Sequence, residues 1–413
     1  MVEAVLESNV QAMMEITDEV DTLLVVNAGS SSLKFQVHTI DPTRGPEMAL
    51  SGQITSIGSE APKIRVKDRS GAVREDRSLY PHEAMDLAGA QEVMAGWLAT
   101  HVARQPIAVG HRIVHGGPRM TRSVLISQEI LNYLDSLVPL APLHQRNNLA
   151  PVHVVFDHWP DIQQVACFDT AFHRSQDTVV QHFALPEKYF EQGVRRYGFH
   201  GLSYEYISGR LREVLPQVAE KRVIAAHLGS GASACAMLNG VSRETTMGFT
   251  ALDGLPMATR PGRLDAGVVL WLLEQGKTHD EIQDLLYNQS GMKGLSGISG
   301  DMRTLLASTE PAAKLAVDYY TYRAAESIAG LCVATQGLDA LVFTAGVGEN
   351  SPEIRAGICR RLEWLGLRID DEANAGNQLT ISGPDSAVSI HVVPTNEELV
   401  IARHMWDTLR GVL

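Results

Sequence analysis

The sequence predicts an α/β protein made of two related halves, and three observations support this fold class. Apolar strand-like runs, such as those in RVIAAHLGSGASACAMLNG, alternate with segments of helical spacing, such as the one that begins at Pro311. This alternation is typical of α/β architecture. An apolar run, a turn of small residues and a second apolar run occur at NAGSSS and again about 200 residues later at LGSGAS, which indicates two similar domains rather than a short-period solenoid. The length of 413 residues suits two or three domains.

The predicted elements begin after an acidic N-terminal segment, MVEAVLESNVQAMMEITDEVDT, which we expect to form a short amphipathic or frayed helix. The segment lacks the basic start of a signal or transit peptide. Residues 23–38, LLVVNAGSSSLKFQVH, predict two strands joined by a turn of small residues. Further strands are predicted in PIAVGHRIVHGG, QQVACFDTAFH, LDALVFTAGVGENS and VSIHVVPTNEE, and ACAMLNG predicts a strand closed by an Asn-Gly turn. No apolar run approaches the roughly 18 residues of a membrane span.

Composition and charge restrict the class of partner. The chain has 35 basic and 48 acidic side chains, which gives a formal net charge of −13. An acidic chain without a basic run repels nucleic acid and anionic membranes. The four cysteines, Cys167, Cys235, Cys332 and Cys359, are scattered and form no CxxC pair, which is typical of core residues in a reducing cytosol rather than of a zinc site. We therefore expect a cytoplasmic protein that handles an anionic ligand with a few placed cations.

Three turns of small residues follow apolar runs and suggest such a ligand. Glycine and serine leave backbone N–H groups unhindered and add hydroxyl donors, which phosphate oxygens need. These turns lie in NAGSSS, LGSGAS and TAGVGENS. A Walker A loop at EQGKTHDE is excluded, because Trp271 stands where the first glycine is required. GSGASA at residues 229–234 matches a dinucleotide pattern, but a strand rather than a helix is predicted to follow, so an NAD-dependent dehydrogenase stays a distant alternative.

Charged side chains lie in or near the predicted strands, and each has a structural and a functional interpretation. Arg112, in a run rich in valine and isoleucine, either pairs with a structural carboxylate or holds an anionic group in a fork. Asp169 either caps a turn or places a carboxylate at a strand end, where α/β ligands bind. His200 is either a core or a functional histidine, and Arg260 either a surface or a functional arginine. Glu397 either starts a helix or binds magnesium.

Taken together, these residues favour phosphoryl transfer. The set contains phosphate-cradling turns, a lysine, two arginines, a histidine and two carboxylates. Phosphoryl transfer requires charge neutralisation, positioning and a metal ion, and this set of groups supplies all three.

The motifs VVNAGSSSLKF, GHRIVHGG, FDTAFH, YGFHG, HLGSG, TAGVGENS and PTNEEL closely resemble, in the same order, those of the acetate kinase family of short-chain carboxylate kinases. The resemblance implies the duplicated actin-like (ribonuclease H-like) ATPase fold, with two similar domains flanking a nucleotide cleft. It also implies ATP and ADP as substrates, Mg²⁺ as the metal with Mn²⁺ as an alternative, and a homodimer. By this resemblance, residues 1–21 are an N-terminal extension, residues 22–172 with 395–413 are domain I, and residues 173–394 are domain II.

The resemblance also implies roles for individual residues. Asn27 and Glu397 resemble the metal-site pair, and Ser30, Ser32 and Lys34 resemble a phosphate cradle. The implied catalytic residues are Arg112, Asp169, His200 and Arg260; the arginines clamp the acyl carboxylate and the migrating phosphoryl group, and His200 stabilises the transition state. The remaining implied contacts are to phosphate at His227, Leu228, Gly229, Ser230 and Gly231, to the nucleoside at Asp301, Met302, Arg303, Gly346, Val347, Gly348, Glu349 and Asn350, and to the substrate methyl group at Val114, Leu143, Phe199 and Ala251.

Departures from the family pattern bear on specificity. Ser230 replaces the usual asparagine of HLGNG, and RPGRLD, with Pro261 and Arg263, replaces a stretch that usually contains Ser-Gly-Asp. Ala251 stands where proline is usual and leaves room for a slightly larger acid, although one methylene is worth only about 1–3 kcal/mol in such a pocket. The predicted reaction is reversible, direct in-line transfer between ATP and acetate, with propionate or another short-chain acid as the alternative substrate. A non-catalytic nucleotide switch of the same fold is more distant, since it does not need two arginines.

Overall fold

The computed structural model of the protein describes residues 20–29 and 31–412, and only the backbone of Pro142 and Leu143. Most of the N-terminal segment predicted as a helix lies outside the described residues, as does Ser30. The described residues divide into two compact units. The first comprises the residues up to Ala171 together with those from Asn396 onward, and the second is Phe172–Thr395. The predicted boundaries of the functional domains stay a prediction.

The first unit is built around an eight-stranded sheet. Its strands are β1 Thr22–Ala28, β2 Ser32–Asp41, β3 Gly45–Thr55, β4 Lys63–Asp68, β5 Val73–Ser78, β6 Ala108–Ile113, β7 Val124–Leu125 and β8 Gln163–Phe168. They lie in the order β5-β4-β3-β2-β1-β6-β8-β7. Strands β1 to β5 pair in antiparallel fashion, whereas β1, β6 and β8 are parallel neighbours.

The second unit contains a five-stranded sheet of related topology. Its strands are β9 Arg222–Leu228, β10 Ala232–Leu238, β11 Val241–Thr245, β12 Ala340–Thr344 and β13 Ser389–Val392. They lie in the order β11-β10-β9-β12-β13, with β9, β10 and β11 antiparallel and β9, β12 and β13 parallel. The order and directions match those of β3-β2-β1-β6-β8. This match confirms the two related halves that the sequence repeat predicts.

Helices connect the strands in both units. In the described residues they are α1 Leu87–His101, α2 Gln128–Ser136, α3 Pro142–His158, α4 Thr178–Gln181, α5 Glu187–Glu191, α6 Gly201–Val214, α7 Pro216–Ala219, α8 Ala266–Glu274, α9 His279–Asp284, α10 Gly291–Ser296, α11 Met302–Ala307, α12 Pro311–Thr335, α13 Ala345–Asn350, α14 Pro352–Arg361, α15 Asp371–Ala375 and α16 Glu397–Leu409. Helix α12 begins at Pro311 as predicted, because proline tolerates the first helical turn. It ends where Gln336 adopts a left-handed conformation with φ 55°.

One apolar core of the first unit lies between its sheet and α1. Alternate residues of β2 point to this core, and the ring of Phe35 lies 6.3 Å from that of Trp97. Gly52 on β3 is required there, because a Cβ at this position would lie 2.1 Å from the Phe35 ring. Since side chains alternate along a strand, Lys34 and Gln36 lie on the opposite face of the sheet. At these two positions the opposite face carries polar side chains.

The core of the second unit lies between α6 and the strands β9, β10 and β12. Tyr204, Ile207 and Leu211 of α6 are buried in this cluster. Asn239 and Gly240, with φ of 56° and 73°, form the predicted Asn-Gly turn between β10 and β11. A strand therefore follows GSGASA, and the helix that a dinucleotide-binding motif requires is not formed there.

Candidate active site

The parallel strands of the first unit bring four predicted site residues to one edge of the sheet. Because β1, β6 and β8 run in the same direction, their carboxyl ends meet at this edge. Asn27 and Arg112 are the second-to-last residues of β1 and β6, and Asp169 directly follows β8. Glu397 is the first residue of α16. The predicted metal pair and two of the predicted catalytic residues thus belong to one cluster around Arg112.

The guanidinium of Arg112 connects the members of this cluster. Its Nε donates to Oδ1 of Asp169 at 3.0 Å, and its Nη2 donates to Oδ2 at 2.5 Å. Its Nη1 lies 3.4 Å from Oδ1 of Asn27, and Oε2 of Glu397 lies 3.7 Å from Nε. Asp169 is only 1% exposed, whereas Arg112 keeps 18% of its side chain exposed. The Nε–Nη2 edge of Arg112 is therefore occupied by Asp169, whereas the contact of Nη1 to Asn27 is longer.

Electrostatics keep Arg112 charged in this position. Burial alone would lower its pKa, but the negative charges of Asp169 and Glu397 outweigh burial and raise the pKa above its ordinary value. Both interpretations of Arg112 are therefore compatible with its geometry, since it pairs with a carboxylate and also presents a permanent cation at the strand edge.

Glu398 is a member of this cluster that sequence reasoning missed. Its Oε1 accepts a hydrogen bond from Nδ2 of Asn27 at 3.2 Å. Three carboxylates, of Asp169, Glu397 and Glu398, thus act on the single guanidinium of Arg112. The second glutamate of PTNEEL was the available signal, and helix α16 presents both glutamates in its first turn.

The charge and atom types of this cluster fit a divalent cation. Three carboxylates and one guanidinium leave a net charge of −2, and carboxylate and amide oxygens are the ligands that Mg²⁺ prefers. Among the described residues, no group of three or more histidine, cysteine or acidic side chains is arranged so that it could hold a metal ion by itself. A metal ion at Asn27 and Glu397 would therefore take further ligands from water and phosphate, as Mg²⁺ commonly does.

The turn between β1 and β2 lies beside this cluster. Gly29 N donates to the carbonyl oxygen of Ser32 at 2.8 Å, which closes the turn. Lys34 is the cross-strand partner of Asn27 in the β1–β2 ladder, and its side chain is exposed. Ser30 lies outside the described residues, so its predicted phosphate contact stays a prediction.

The second unit gathers a different set of predicted residues around the turn between β9 and β10. A Cβ on Gly231 would lie 3.2 Å from Nη2 of Arg260 and 3.3 Å from Nε2 of His200. A Cβ on Gly229 would lie 3.9 Å from Nε2 of His227. The two glycines therefore leave space that a guanidinium and two imidazoles face. Such a space, next to unhindered backbone N–H groups, suits an anionic oxygen.

Hydrogen bonds fix the two imidazoles of this site. The rings of His200 and His227 stack with centroids 4.1 Å apart and an interplanar angle of 17°. Nδ1 of His200 lies 2.8 Å from Oγ of Ser233, and Nδ1 of His227 lies 2.9 Å from Oγ of Ser203. In each ring the Nδ1 is engaged, and the Nε2 lies on the side of the glycine turn. Sequence reasoning missed Ser203, because only the fold brings α6 to the end of β9.

His173 supports the backbone that carries His200. Its Nε2 lies 2.9 Å from the carbonyl oxygen of Phe199, which can only accept, so Nε2 bears the proton and Nδ1 accepts from Oγ of Ser242 at 2.9 Å. Burial lowers the pKa of His173 to about 4, so the ring is neutral at pH 7. His200 itself has a φ of 56°, which is uncommon for a residue other than glycine. The buried ring of His173 therefore helps to hold this conformation.

The residues predicted to contact the nucleoside lie in two short helices of the second unit. Asp301, Met302 and Arg303 lie at the start of α11, and residues 346–350 extend from the second to the last residue of α13. Oε1 of Glu349 accepts from the backbone N of Ala345 at 2.7 Å and of Thr395 at 3.1 Å. Asp301 caps α11 and pairs with the exposed Arg303 through Nε at 3.1 Å and Nη2 at 2.6 Å. These contacts define the local structure of both segments, and their binding of a nucleoside stays a prediction.

Arg355 donates hydrogen bonds to the C-terminal end of helix α13. Its Nη1 donates to the carbonyl oxygens of Gly348 and Glu349 at 2.9 and 3.0 Å. Its Nε donates to Oδ1 of Asn374 at 2.7 Å, and its Nη2 donates to the carbonyl oxygen of Asn374 at 2.7 Å and to Oδ1 of Asn377 at 2.6 Å. All five N–H donors of this fully buried side chain are thus used.

The four residues predicted to contact the substrate methyl group divide between the units. Val114 follows β6 in the first unit and is buried, and Leu143 lies in the first turn of α3, with its side chain outside the described residues. Phe199 and Ala251 lie in the second unit, where the carbonyl oxygen of Ala251 accepts from Nη1 of Arg260 at 2.9 Å. Their assembly into one pocket stays a prediction.

No helix of the described residues is long and apolar enough to cross a membrane.

The duplicated sheet topology, the cluster around Arg112 and the cluster around the glycine turn between β9 and β10 define a class of protein, the ATP-dependent phosphotransferases with an actin-like fold. A profile of the Acetokinase family matches residues 22–403. The chain therefore belongs to the acetokinase family.

Individual relatives agree with this assignment. The chain is 52% identical to an acetate kinase of Nitrobacter hamburgensis over 94% of this chain and 96% of that protein, and 50% identical to an acetate kinase of Rhizobium meliloti over 93% and 97%. Among solved structures, an acetate kinase of Porphyromonas gingivalis superposes with a TM-score of 0.81 at 35% identity, over 94% of this chain and all of that one. A propionate kinase of Francisella tularensis superposes with a TM-score of 0.84 at 35% identity, over 93% and 98%.

Proposed function

We propose that the protein is an acetate kinase, which transfers the γ-phosphoryl group of ATP reversibly to acetate to give ADP and acetyl phosphate. The observation that carries this proposal is the position of Arg112. It is a permanent cation held by Asp169 at the carboxyl edge of β6 and β8, next to Asn27. Relatives that are 50% or more identical to this chain are named acetate kinases, which supports the same activity.

The acceptor needs orientation rather than deprotonation. Acetate is ionised at pH 7, since carboxylic acids of this kind have pKa values near 4 to 5. Both oxygens of Asp169 already accept hydrogen bonds from Arg112. We therefore assign Asp169 the role of orienting Arg112, and we assign Arg112 the role of holding the acetate carboxylate through its Nη1 side. Direct in-line transfer follows, because the acceptor is already the nucleophile.

The groups of the second unit suit the phosphoryl group. Arg260, His200 and His227 face the space left by Gly229 and Gly231. In phosphoryl transfer, charge develops on the oxygens of the migrating group, and placed donors stabilise it. We propose that Arg260 and Nε2 of His200 contact these oxygens, and that the backbone N–H groups of the glycine turn hold the neighbouring phosphate.

We further propose Mg²⁺ as the metal, with Mn²⁺ as an alternative. Asn27 and Glu397 would hold it, directly or through water, and Glu398 fixes the Asn27 amide. When bound, the metal would neutralise phosphate charge and help to align ATP. The net charge of −2 in the cluster supports a divalent ion at this position.

A hydroxylamine trap for acyl phosphate tests the proposed activity. The purified chain is incubated with ATP and Mg²⁺ and with formate, acetate, propionate or butyrate in parallel. We expect the highest kcat/KM with acetate, and a loss of several kcal/mol of transition-state stabilisation in Arg260→Ala. Arg263→Ala is the matched control, because Arg263 is exposed in the same loop. Absence of acyl phosphate with all four acids would refute the proposal.

A propionate kinase is the second candidate. Ala251 in place of the usual proline and the fold shared with the propionate kinase of Francisella tularensis favour it. The same hydroxylamine assay separates the two, because a higher kcat/KM with propionate than with acetate would assign the larger substrate.

We also propose that the protein forms a homodimer in the cytoplasm. Helix α8, AGVVLWLLE, is almost entirely apolar, yet Leu270, Trp271 and Leu273 are 61%, 55% and 48% exposed. An apolar helix face of this kind on a protein surface indicates an interaction site. A second copy of the chain is the occupant that the resemblance to a dimeric family implies. Light scattering of the wild-type chain should give the mass of two chains.

A further inference from the structure

We propose that the first unit carries a second binding site, for a compact multivalent oxyanion, beside the cluster around Arg112. A cavity of about 250 Å³ lies over the sheet face formed by β2, β3 and β4. Its lining includes Lys34, Arg65 and Lys67 as cations and Glu398 as the carboxylate. This site goes beyond the proposed kinase activity and does not depend on it.

The strand register explains how these cations come together. Lys34, Gln53 and Arg65 are successive cross-strand partners on β2, β3 and β4. Since neighbouring strands lie about 4.8 Å apart, the outer members of this row are about 10 Å apart at their Cα atoms. Long side chains at this separation can converge on one small ligand between them.

A second row lies two residues further along the same face. Ser51 pairs with Lys67 across β3 and β4, and both line the cavity. Two residues along a strand correspond to about 7 Å. The two rows thus form a polar surface of about 10 by 7 Å at the base of the cavity, which is the size of a small molecule with several anionic oxygens. Gln53 and Ser51 add neutral hydrogen-bond donors to this surface.

Ion pairing distinguishes the cavity cations from the other cations of the same strands. Lys63 pairs with Asp76 at 2.5 Å, Arg74 pairs with Asp68 at 2.7 Å, and Arg77 pairs with Glu83 at 3.1 Å. Within the described residues, neither Lys34 nor Lys67 has a carboxylate within 4.0 Å.

Arg65 is only partly compensated. Its Nε lies 3.7 Å from Oδ2 of Asp76, beyond hydrogen-bond distance. In the described part of the chain, this buried Nε has no hydrogen-bond acceptor. Because an unsatisfied buried donor is costly, an acceptor atom supplied by a ligand would be favourable here.

The charge balance sets the class of ligand. The lining side chains of the cavity are three cations and one carboxylate, a formal charge of +2 that Asp76, 3.7 Å from Arg65, offsets only in part, in a chain of formal net charge −13. An arginine fork with lysine point charges is the combination that recognises phosphate and polycarboxylate oxygens. A monovalent anion would leave part of this charge uncompensated, so the cavity favours an oxyanion with two or more charges, such as a phosphate or a tricarboxylate.

The cavity adjoins the candidate active site through two residues. Lys34 lines the cavity and is also the cross-strand partner of Asn27, and Glu398 lines the cavity and accepts from the Asn27 amide. An anion bound in the cavity would therefore draw Lys34 toward the β3–β4 side. Arg65 and Lys67 belong to the cavity and have no place in the proposed kinase chemistry, so substitutions there isolate the new site.

Calorimetric titration of the full chain without nucleotide tests the proposal, with inorganic phosphate, citrate and acetate as three separate probes. The test variant is Arg65→Gln/Lys67→Gln. The matched control is Arg77→Gln, which removes an arginine of the neighbouring strand β5 that pairs with Glu83 and does not line the cavity. We expect phosphate or citrate to bind to the wild type and to Arg77→Gln, and at least tenfold more weakly, or with one equivalent lost, to the double variant. The acyl phosphate activity of the double variant without added anion should stay within twofold of wild type, which shows that it folds.

Four results would overturn this assignment. The first is that the wild type binds neither phosphate nor citrate at millimolar concentration. The second is that the double variant binds both probes with unchanged affinity and stoichiometry. The third is that Arg77→Gln weakens binding as much as the double variant does. The fourth is that acetate binds as tightly as the multivalent probes. Either of the last two results points to general charge attraction. None of these results depends on turnover, so failure of the anion site and failure of the kinase proposal are distinguishable.

Discussion

Replacing Arg112 with lysine separates the charge of this side chain from its fork geometry. Lysine keeps the positive charge beside Asp169, but its ammonium group cannot reproduce the two parallel hydrogen bonds from Nε and Nη2. It also loses the Nη1 group that lies 3.4 Å from Asn27 and that we assign to the acetate carboxylate. Alanine is a poorer test, because it leaves the buried Asp169 without a cation, which commonly destabilises a protein by about 3–5 kcal/mol.

The expected magnitude follows from the bonds that are lost. A hydrogen bond to a charged group contributes about 1.5–3 kcal/mol, and Arg112→Lys removes one of the two bonds to Asp169 together with the proposed contact to acetate. We therefore expect kcat/KM for acetate to fall by about 10- to 150-fold for each bond that acts in the transition state. The free energy of unfolding should fall by only about 2 kcal/mol, because the charge of Asp169 stays compensated.

The assay is the hydroxylamine trap at varied acetate and saturating ATP, together with urea unfolding. Arg104→Lys is the matched control, since Arg104 forms a single, exposed ion pair with Asp21 at 2.8 Å. This control should keep kcat/KM within about twofold, because exposed pairs contribute little. A kcat/KM of Arg112→Lys within threefold of wild type would refute the argument that the fork geometry of Arg112 is needed.

Further predictions concern acid stability, specificity, metal dependence and assembly. Burial lowers the pKa of His38, His111 and His173 to about 4, below the ordinary 6.5, so the unfolded chain binds protons that the native state does not. Their contribution to stability is complete above pH 6.5 and is lost as the pH falls toward 4. Between pH 7 and 5 it should fall by about 2 kcal/mol for each histidine, and equal urea midpoints at the two pH values would contradict this. Ala251→Pro should lower the ratio of kcat/KM for propionate to that for acetate by about tenfold, and an unchanged ratio would remove this residue from the pocket. Chelation of divalent ions by EDTA should abolish acyl phosphate formation and added Mg²⁺ should restore it, whereas full activity in EDTA would exclude the proposed metal. Trp271→Glu should shift the mass in light scattering from two chains to one, and an unchanged mass would place the dimer contact elsewhere.

Much of the fold could be predicted from local sequence patterns. The strands β1, β2, β6, β8, β9, β10, β12 and β13 and the Asn-Gly turn at Asn239 appear where apolar runs and turn residues predict them, because these features depend on neighbours in sequence. The strands β3, β4, β5, β7 and β11 were not predicted. The relation between the two halves was predictable from the repeated glycine and serine turns. The helix at Ala345–Asn350 was less evident, since the run TAGVGENS contains two glycines and reads as a turn.

The candidate site was harder to predict, because its contacts join distant parts of the chain. Asn27 and Glu398 are 371 positions apart, and only the packing of α16 beside β1 brings them together. The sequence left open whether Arg112 pairs with a carboxylate or binds a ligand, and the partner proves to be Asp169, which was itself a predicted catalytic residue. The neutral state of His173 could not be predicted either, since its pKa depends on burial.

The five bonds of Arg355 have a consequence for protein engineering. All five acceptors of Arg355 are neutral amide oxygens. A lysine has three donors and would leave at least two of these oxygens unpaired, and no other side chain reaches all five. Residue 355 is therefore a position to hold constant in any library that varies residues 346–350 to test their predicted contact with the nucleoside. In a library that also varies residue 355, we expect the members that replace this arginine to lose stability, because buried amide oxygens would be left without a donor.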